Sequence, residues 1–200
     1  IGAAVNMNRV AAHPEVQAHY PLLASACHWV ASYQLRTRAT IVGNICNASP
    51  AGDTLGACLA FGGILQIHGS GGLRQVPLAD FFLGPGKTVL KPGDIATALQ
   101  LPLPPQGCQG AYYKLGRNKL SDLSIVGVTV LGWPDATAAS GYRFRLILAS
   151  VAPVPFVAKE AEAYLANTPI TPESIQEAAQ LAAVACTPID DVRGGARYRK

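Results

Sequence analysis

Two hundred residues, half of them apolar, suffice to bury one large core or two small ones. Charged residues make up only 14%, which excludes an intrinsically disordered chain, and the net charge of +4 is too mild and scattered for nucleic acid. Five cysteines at 27, 46, 58, 108 and 186 contain no Cys-x-x-Cys pair, so an iron–sulfur cluster or zinc site has no support. Their odd number and wide spacing suit a reduced, cytoplasmic protein. No apolar run reaches the length of a membrane span. Ile1-Gly2-Ala3-Ala4-Val5 lacks the basic flank and apolar core of a signal peptide, and the start at Ile1 rather than methionine suits a fragment or processed chain.

In chain order, residues 1–10 read as a short strand or loop leading to a helix. Pro21 suits a first helical turn, and Leu23, Ala26, Val30 and Tyr33 recur at the spacing of one buried helical face. His28 falls on the opposite side with no partner at a useful spacing. Thr40 to Asp53 then reads as a polar connection of small residues between two apolar helical patterns. Such a turn can aim several backbone N–H groups at an anion such as a pyrophosphate. Asp53 stands where it could cap the helix from Thr54 to Phe61, which Gly62-Gly63 would end. Cys27 and Cys58 fit as small core residues, and Cys46 as a space-filler beside the connection.

Alternation over 64–68 and the turn Gly69-Ser70-Gly71-Gly72 predict a hairpin with 73–76, His68 being an exposed strand residue. Gly84-Pro85-Gly86-Lys87 is punctuated by turn residues. Another strand, Asp94 to Leu103, precedes Pro104-Pro105-Gln106-Gly107, which is read as the boundary between subdomains 1–106 and 107–200. Residues 111–115, 124–133 and 141–151 are strand-like. Helices over 157–166 and from Thr171-Pro172-Glu173 to Cys186 close the chain, the second with an N-cap threonine, a first-turn proline and an early acid. Strands followed by helices, without regular alternation, predict an α+β fold with antiparallel sheets. Gly-x-Ser-x-Gly and His-Glu-x-x-His are both absent, and Gly69-Ser70-Gly71-Gly72 has neither the spacing nor the helix of a Rossmann fingerprint.

Thr40-Ile41-Val42-Gly43-Asn44, followed by Cys46-Asn47-Ala48-Ser49-Pro50-Ala51-Gly52-Asp53, resembles the second flavin loop of the FAD-binding medium subunits of molybdenum hydroxylases, the carbon monoxide dehydrogenase and xanthine dehydrogenase group. The family pattern is Thr/Ser-Ile/Val-Gly-Gly-Asn, from which Val42 departs. Asp80–Thr88, Gly110–Arg117 and Pro188–Arg193 agree with the same family in the same order. The resemblance implies an antiparallel-sheet FAD-binding subdomain, the second half of the PCMH-type fold, over 1–106. A C-terminal subdomain with a three-stranded antiparallel sheet and helices would follow over 107–200.

By that resemblance the cofactor is FAD, held by backbone and side-chain donors of Ala39, Thr40, Ile41, Val42, Gly43 and Asn44. Asp53 would accept a hydrogen bond from it, with helix capping as the rival role. Val30 and the Ile95-Ala96 pair would lie against the flavin ring. Lys114 would stabilise negative charge on the reduced ring, the alternative being a strand lysine that snorkels to solvent. The implied function is electron transfer from the iron–sulfur small subunit to an external acceptor, with substrate oxidised in a molybdenum-cofactor large subunit. The family's other glycine-rich loop lies in an N-terminal FAD subdomain upstream of Ile1, absent here or supplied as a separate chain. A non-catalytic assembly module of the same fold, without flavin, is the alternative function.

Overall fold

The computed structural model describes residues 1–118 and 121–200. Six short helices come first: α1 (Met7–Ala12), α2 (Pro14–His19), α3 (Pro21–Trp29), α4 (Tyr33–Arg36), α5 (Ile41–Asn47) and α6 (Leu55–Ala60). Local chemistry sets their limits. Asn6 caps α1 by accepting from the Arg9 N–H, and Pro14 and Pro21 occupy first turns where the missing N–H costs nothing. The helical face expected to run from Leu23 to Tyr33 is interrupted. Leu23 and Ala26 are fully buried, but Val30 terminates α3, and Tyr33 is 65% exposed at the start of α4. Ala31, with φ 42°, takes the left-handed conformation that a continuing helix excludes, and Ser32 caps the next helix. At the far end of α6, Gly62 (φ 67°) and Gly63 return their N–H groups to Leu59 and Cys58, forming a Schellman close.

Strands β1 (Ile64–Gly69) and β2 (Gly72–Pro77) form the expected hairpin, and β5 (Ile95–Gln100) pairs with the other edge of β1. Leu65 and Ile67 are fully buried on one face of β1, while His68 is exposed on the other. Between β2 and β5 lies a two-stranded ribbon, β3 (Phe82–Gly84) with β4 (Lys87–Thr88).

The second sheet is antiparallel, in the order β6 (Gln109–Leu115), β7 (Val126–Pro134), β8 (Tyr142–Ala149) and β9 (Phe156–Val157). Two-residue β9 adds a short edge to the three long strands. Helices α7 (Lys159–Asn167) and α8 (Pro172–Ala185) cover its outer face, and α9 (Ala196–Arg199) ends the described chain. Thr171 and Ser174 form a capping box at the start of α8. The inner face packs on α3 and α6. One continuous core therefore runs from Met7 and Leu23 through Cys27, Cys58 and Leu65 to Leu131 and Ile147.

The tightest joint in that packing is between α6 and β7. A Cβ placed on Gly56 would overlap the hydroxyl of Thr129, which is 2% exposed. Helix and sheet approach so closely only because position 56 carries no side chain. Gly56→Ala should cost about 1–3 kcal/mol by forcing the two apart, and adding Thr129→Ala should recover much of it. Urea denaturation of the single and double variants checks this; additive losses would mean that the contact is not the cause.

Candidate functional site

The segment expected as a polar connection is in fact partly helical. Ile41, Val42 and Ile45 put apolar groups on one side of α5 and bury them in the core, and that burial stabilises the helix. Thr40 is its N-cap, accepting from the Gly43 N–H at 2.9 Å. Gly43 is exposed and its φ is not positive; its special feature is proximity, since a Cβ there would stand 2.8 Å from Thr40 Oγ1. Val42 points inward and is 3% exposed, so the valine found where the family pattern has glycine serves the core. Asn44 Oδ1 accepts from Thr54 Oγ1 at 2.7 Å, which leaves its Nδ2 donor without an intramolecular partner among the described residues. The Ala39 carbonyl is taken by the Met7 N–H, and Ala96 lies on β5, against which α5 packs.

Asp53 does not cap α6. Thr54 occupies the cap position and makes no side-chain cap bond. The Asp53 carboxylate turns instead toward β6, accepting from Tyr112 Oη at 2.6 Å through Oδ1 and from Lys114 Nζ at 2.9 Å through Oδ2. Lys114 is no snorkelling strand lysine: its side chain is 5% exposed, and Nζ also donates to the Trp29 carbonyl at 3.0 Å. An ammonium has three donors, so one N–H of Lys114 has no intramolecular acceptor among the described residues. Thr54 bonds to Asn44 while neighbouring Asp53 bonds to Lys114, so these contacts tie the α5 end of the site to β6.

Tyr112 and the Trp29 carbonyl belong to this network, and neither has a role assigned from sequence. Tyr112 had a usable signal: it lies two residues before Lys114 in a strand, hence on the same face. Its ring also meets Trp29 edge to face, with centroids 6.5 Å apart. The carbonyl acts through a tertiary contact that periodicity does not encode.

Burial raises the Asp53 pKa above the ordinary carboxylate value, against the opposing pull of the bonds from Tyr112 and Lys114. The Tyr112 phenol is pushed up as well, first by burial and then by the neighbouring Asp53 charge. Because the folded-state pKa of Asp53 is raised, its stabilising contribution is present at low pH and is lost as pH rises through the window from the unfolded to the folded value. Tyr112→Phe should raise that value further. The variant should lose about 1–3 kcal/mol near neutrality, with a smaller deficit at acid pH, where the carboxyl takes up its proton. Denaturant titrations across that range test this, and a pH-independent deficit would mean that the phenol does not act on the carboxylate.

The chain is similar to known proteins over its length. Residues 1–104 match the family described as the FAD binding domain in molybdopterin dehydrogenase, and residues 111–200 match the CO dehydrogenase flavoprotein C-terminal domain. The carbon monoxide dehydrogenase medium chain of Hydrogenophaga pseudoflava is 34% identical over 199 residues, covering 100% of this chain and 68% of the relative. The putative xanthine dehydrogenase FAD-binding subunit of Escherichia coli K12 is 31% identical over 177 residues, or 88% of this chain and 60% of that one. A solved carbon monoxide dehydrogenase from H. pseudoflava, which lacks the Mo-pyranopterin moiety of its molybdenum cofactor, superposes with a TM-score of 0.93 at 35% identity, covering 100% of this chain and 68% of that one. Fold and family matches thus define an FAD-binding oxidoreductase subunit. The chain belongs to the medium-subunit family of the molybdenum-containing dehydrogenases. Among the described residues no helix is long and apolar enough to cross a membrane.

Proposed function

We propose that this chain forms one side of an FAD site in a multi-subunit molybdenum hydroxylase and serves electron transfer from a partner subunit to an external acceptor. The observation that carries this reading is the Lys114 ammonium, fixed by Asp53 and the Trp29 carbonyl with one donor to spare. The available groups are donors: the Thr40 hydroxyl, the Asn44 Nδ2, the third N–H of Lys114 and the first-turn amides of α5 beside side-chain-free Gly43. The pyrophosphate oxygens and ring carbonyls of FAD are acceptors that such a set of donors can meet, so the residues fit FAD.

FAD, when bound, supplies the redox centre between the iron–sulfur clusters of a small subunit and the acceptor. Ala39, Thr40, Ile41, Val42, Gly43 and Asn44 would hold it through the capped turn, with Ala96 as an apolar contact. Asp53 is assigned to orient Lys114, and Lys114 to donate to the ligand. Substrate chemistry is assigned to a molybdenum-cofactor large subunit. We place residues 1–106 as the second FAD-binding subdomain, residues 107–200 as the C-terminal one, and the complex in the cytoplasm.

Lys114→Met should weaken FAD binding roughly ten- to a hundredfold, as expected for losing a hydrogen bond from a charged donor. It should also lower the flavin midpoint potential, because it removes a positive charge that favours the reduced ring. The fall should be greater at high pH, since Asp53 without its cation takes up a proton at low pH and offsets the lost charge. Spectroelectrochemical titration tests both effects; an unchanged potential sinks the role of Lys114.

Fluorescence quenching should find FAD bound weakly by residues 1–200 and tightly once an upstream FAD subdomain is added. Gly43→Ala should reduce the tight binding, because the methyl would press on the Thr40 cap. Absence of binding even by the extended chain would favour an assembly module without flavin.

A further inference from the structure

Four consecutive carbonyls at the end of α3 are each bonded by a cationic side chain. Arg36 Nη1 reaches the carbonyls of His28 at 3.2 Å, Val30 at 2.8 Å and Ala31 at 3.2 Å. Lys114 Nζ takes the remaining one, Trp29, at 3.0 Å. Carbonyls left over at a helix C-terminus carry partial negative charge, so two cations there are favourable on general grounds. The turn they hold is nevertheless an unusual one, because Ala31 sits at φ 42°, where an L side chain is disfavoured. Arg36 is itself aimed from a third point: its Nε donates to Asn8 Oδ1 at 3.2 Å, and Asn8 Nδ2 donates to the Tyr33 carbonyl at 3.1 Å. The guanidinium is thus braced by α1 and α4 while it holds the end of α3.

We infer that Arg36 is a positioning residue for the flavin site: with Lys114 it holds residues 28–31 in the left-handed turn that fixes the Trp29 carbonyl, and hence the direction of the one Lys114 donor left for the ligand. This deepens the FAD reading and rests on it. Without Arg36, three carbonyls lose their partner and Ala31 is free to leave the left-handed region. The Trp29 carbonyl then moves, and Lys114 keeps its charge and its bond to Asp53 but loses its aim. The lysine is needed for contact; the arginine acts at one remove.

The test compares Arg36→Met, Arg36→Lys, Lys114→Met and the double variant Arg36→Met/Ala31→Gly in the assembled protein with its FAD. Readouts are the FAD dissociation constant and the visible circular dichroism of the flavin. Arg36→Met should weaken FAD roughly tenfold and alter the dichroism band, and Arg36→Lys should do so less, since an ammonium can still donate to these carbonyls but lacks the Nε bond to Asn8 that aims the arginine. Glycine adopts positive φ without strain, so adding Ala31→Gly to Arg36→Met should restore most of the lost affinity and the native band. An effect on general stability alone would leave the affinity and dichroism of the folded, flavin-loaded variants unchanged. If Arg36→Met fails to assemble, the decision passes to Arg36→Lys with and without Ala31→Gly. Unchanged affinity and dichroism in the arginine variants, beside a clear loss in Lys114→Met, would overturn the positioning role and leave the FAD site standing. A loss that Ala31→Gly does not relieve would overturn it equally, and no loss even in Lys114→Met would remove the site itself.

Discussion

The buried ion pair between Asp53 and Lys114 is the contact on which the site depends. Both side chains are less than a tenth exposed, and each belongs to a different half of the chain, one preceding α6 and the other on β6. Taking two charges out of water is expensive, and a buried pair persists only where further hydrogen bonds satisfy what remains. Tyr112 supplies one such bond to the carboxylate, and the Trp29 carbonyl accepts another from the ammonium. Removing either charge alone would strand the other in a poorly solvated place. These bonds fix the ammonium at one place between the two halves of the chain.

Around this pair the remaining chemistry is arranged by ordinary packing. The apolar side of α5 is driven into the core, and that choice leaves the Thr40 cap, Gly43 and Asn44 on the accessible side. Thr54 then connects Asn44 to the segment that bears Asp53. The departure at Val42 places its side chain in the core. The family's glycine pattern describes a backbone path, and the backbone here follows it with a core residue at one of the glycine positions.

Much of this was legible beforehand, and the failures have physical causes. The hairpin at Gly69–Gly72, the buried face of β1, the capped start of α8 and the glycine stop after α6 all follow from local rules that tertiary structure had no reason to override. At the end of α3, Leu23, Ala26, Val30 and Tyr33 keep helical spacing across a break that one backbone angle at Ala31 imposes. The seven residues of α5 carry polar and small groups that suit a connection, and burial of three apolar ones outweighs that propensity. The cap role given to Asp53 failed for another reason. Position next to a helix is visible in sequence, whereas a tyrosine and a lysine some 60 residues away are not.

The shared core has a consequence for how such chains diversify. The two matched families abut in sequence between residues 104 and 111, which suggests interchangeable cassettes. Yet Tyr112, Leu131 and Ile147 of the second lie buried among residues of the first, and Thr129 closes directly over Gly56. A recombinant that joined halves of two distant relatives would bring together surfaces that had never been fitted to one another. Inheritance of these two units should therefore be coupled, with substitutions on α6 answered on β7, although nothing in the linear order of the chain requires them to travel together.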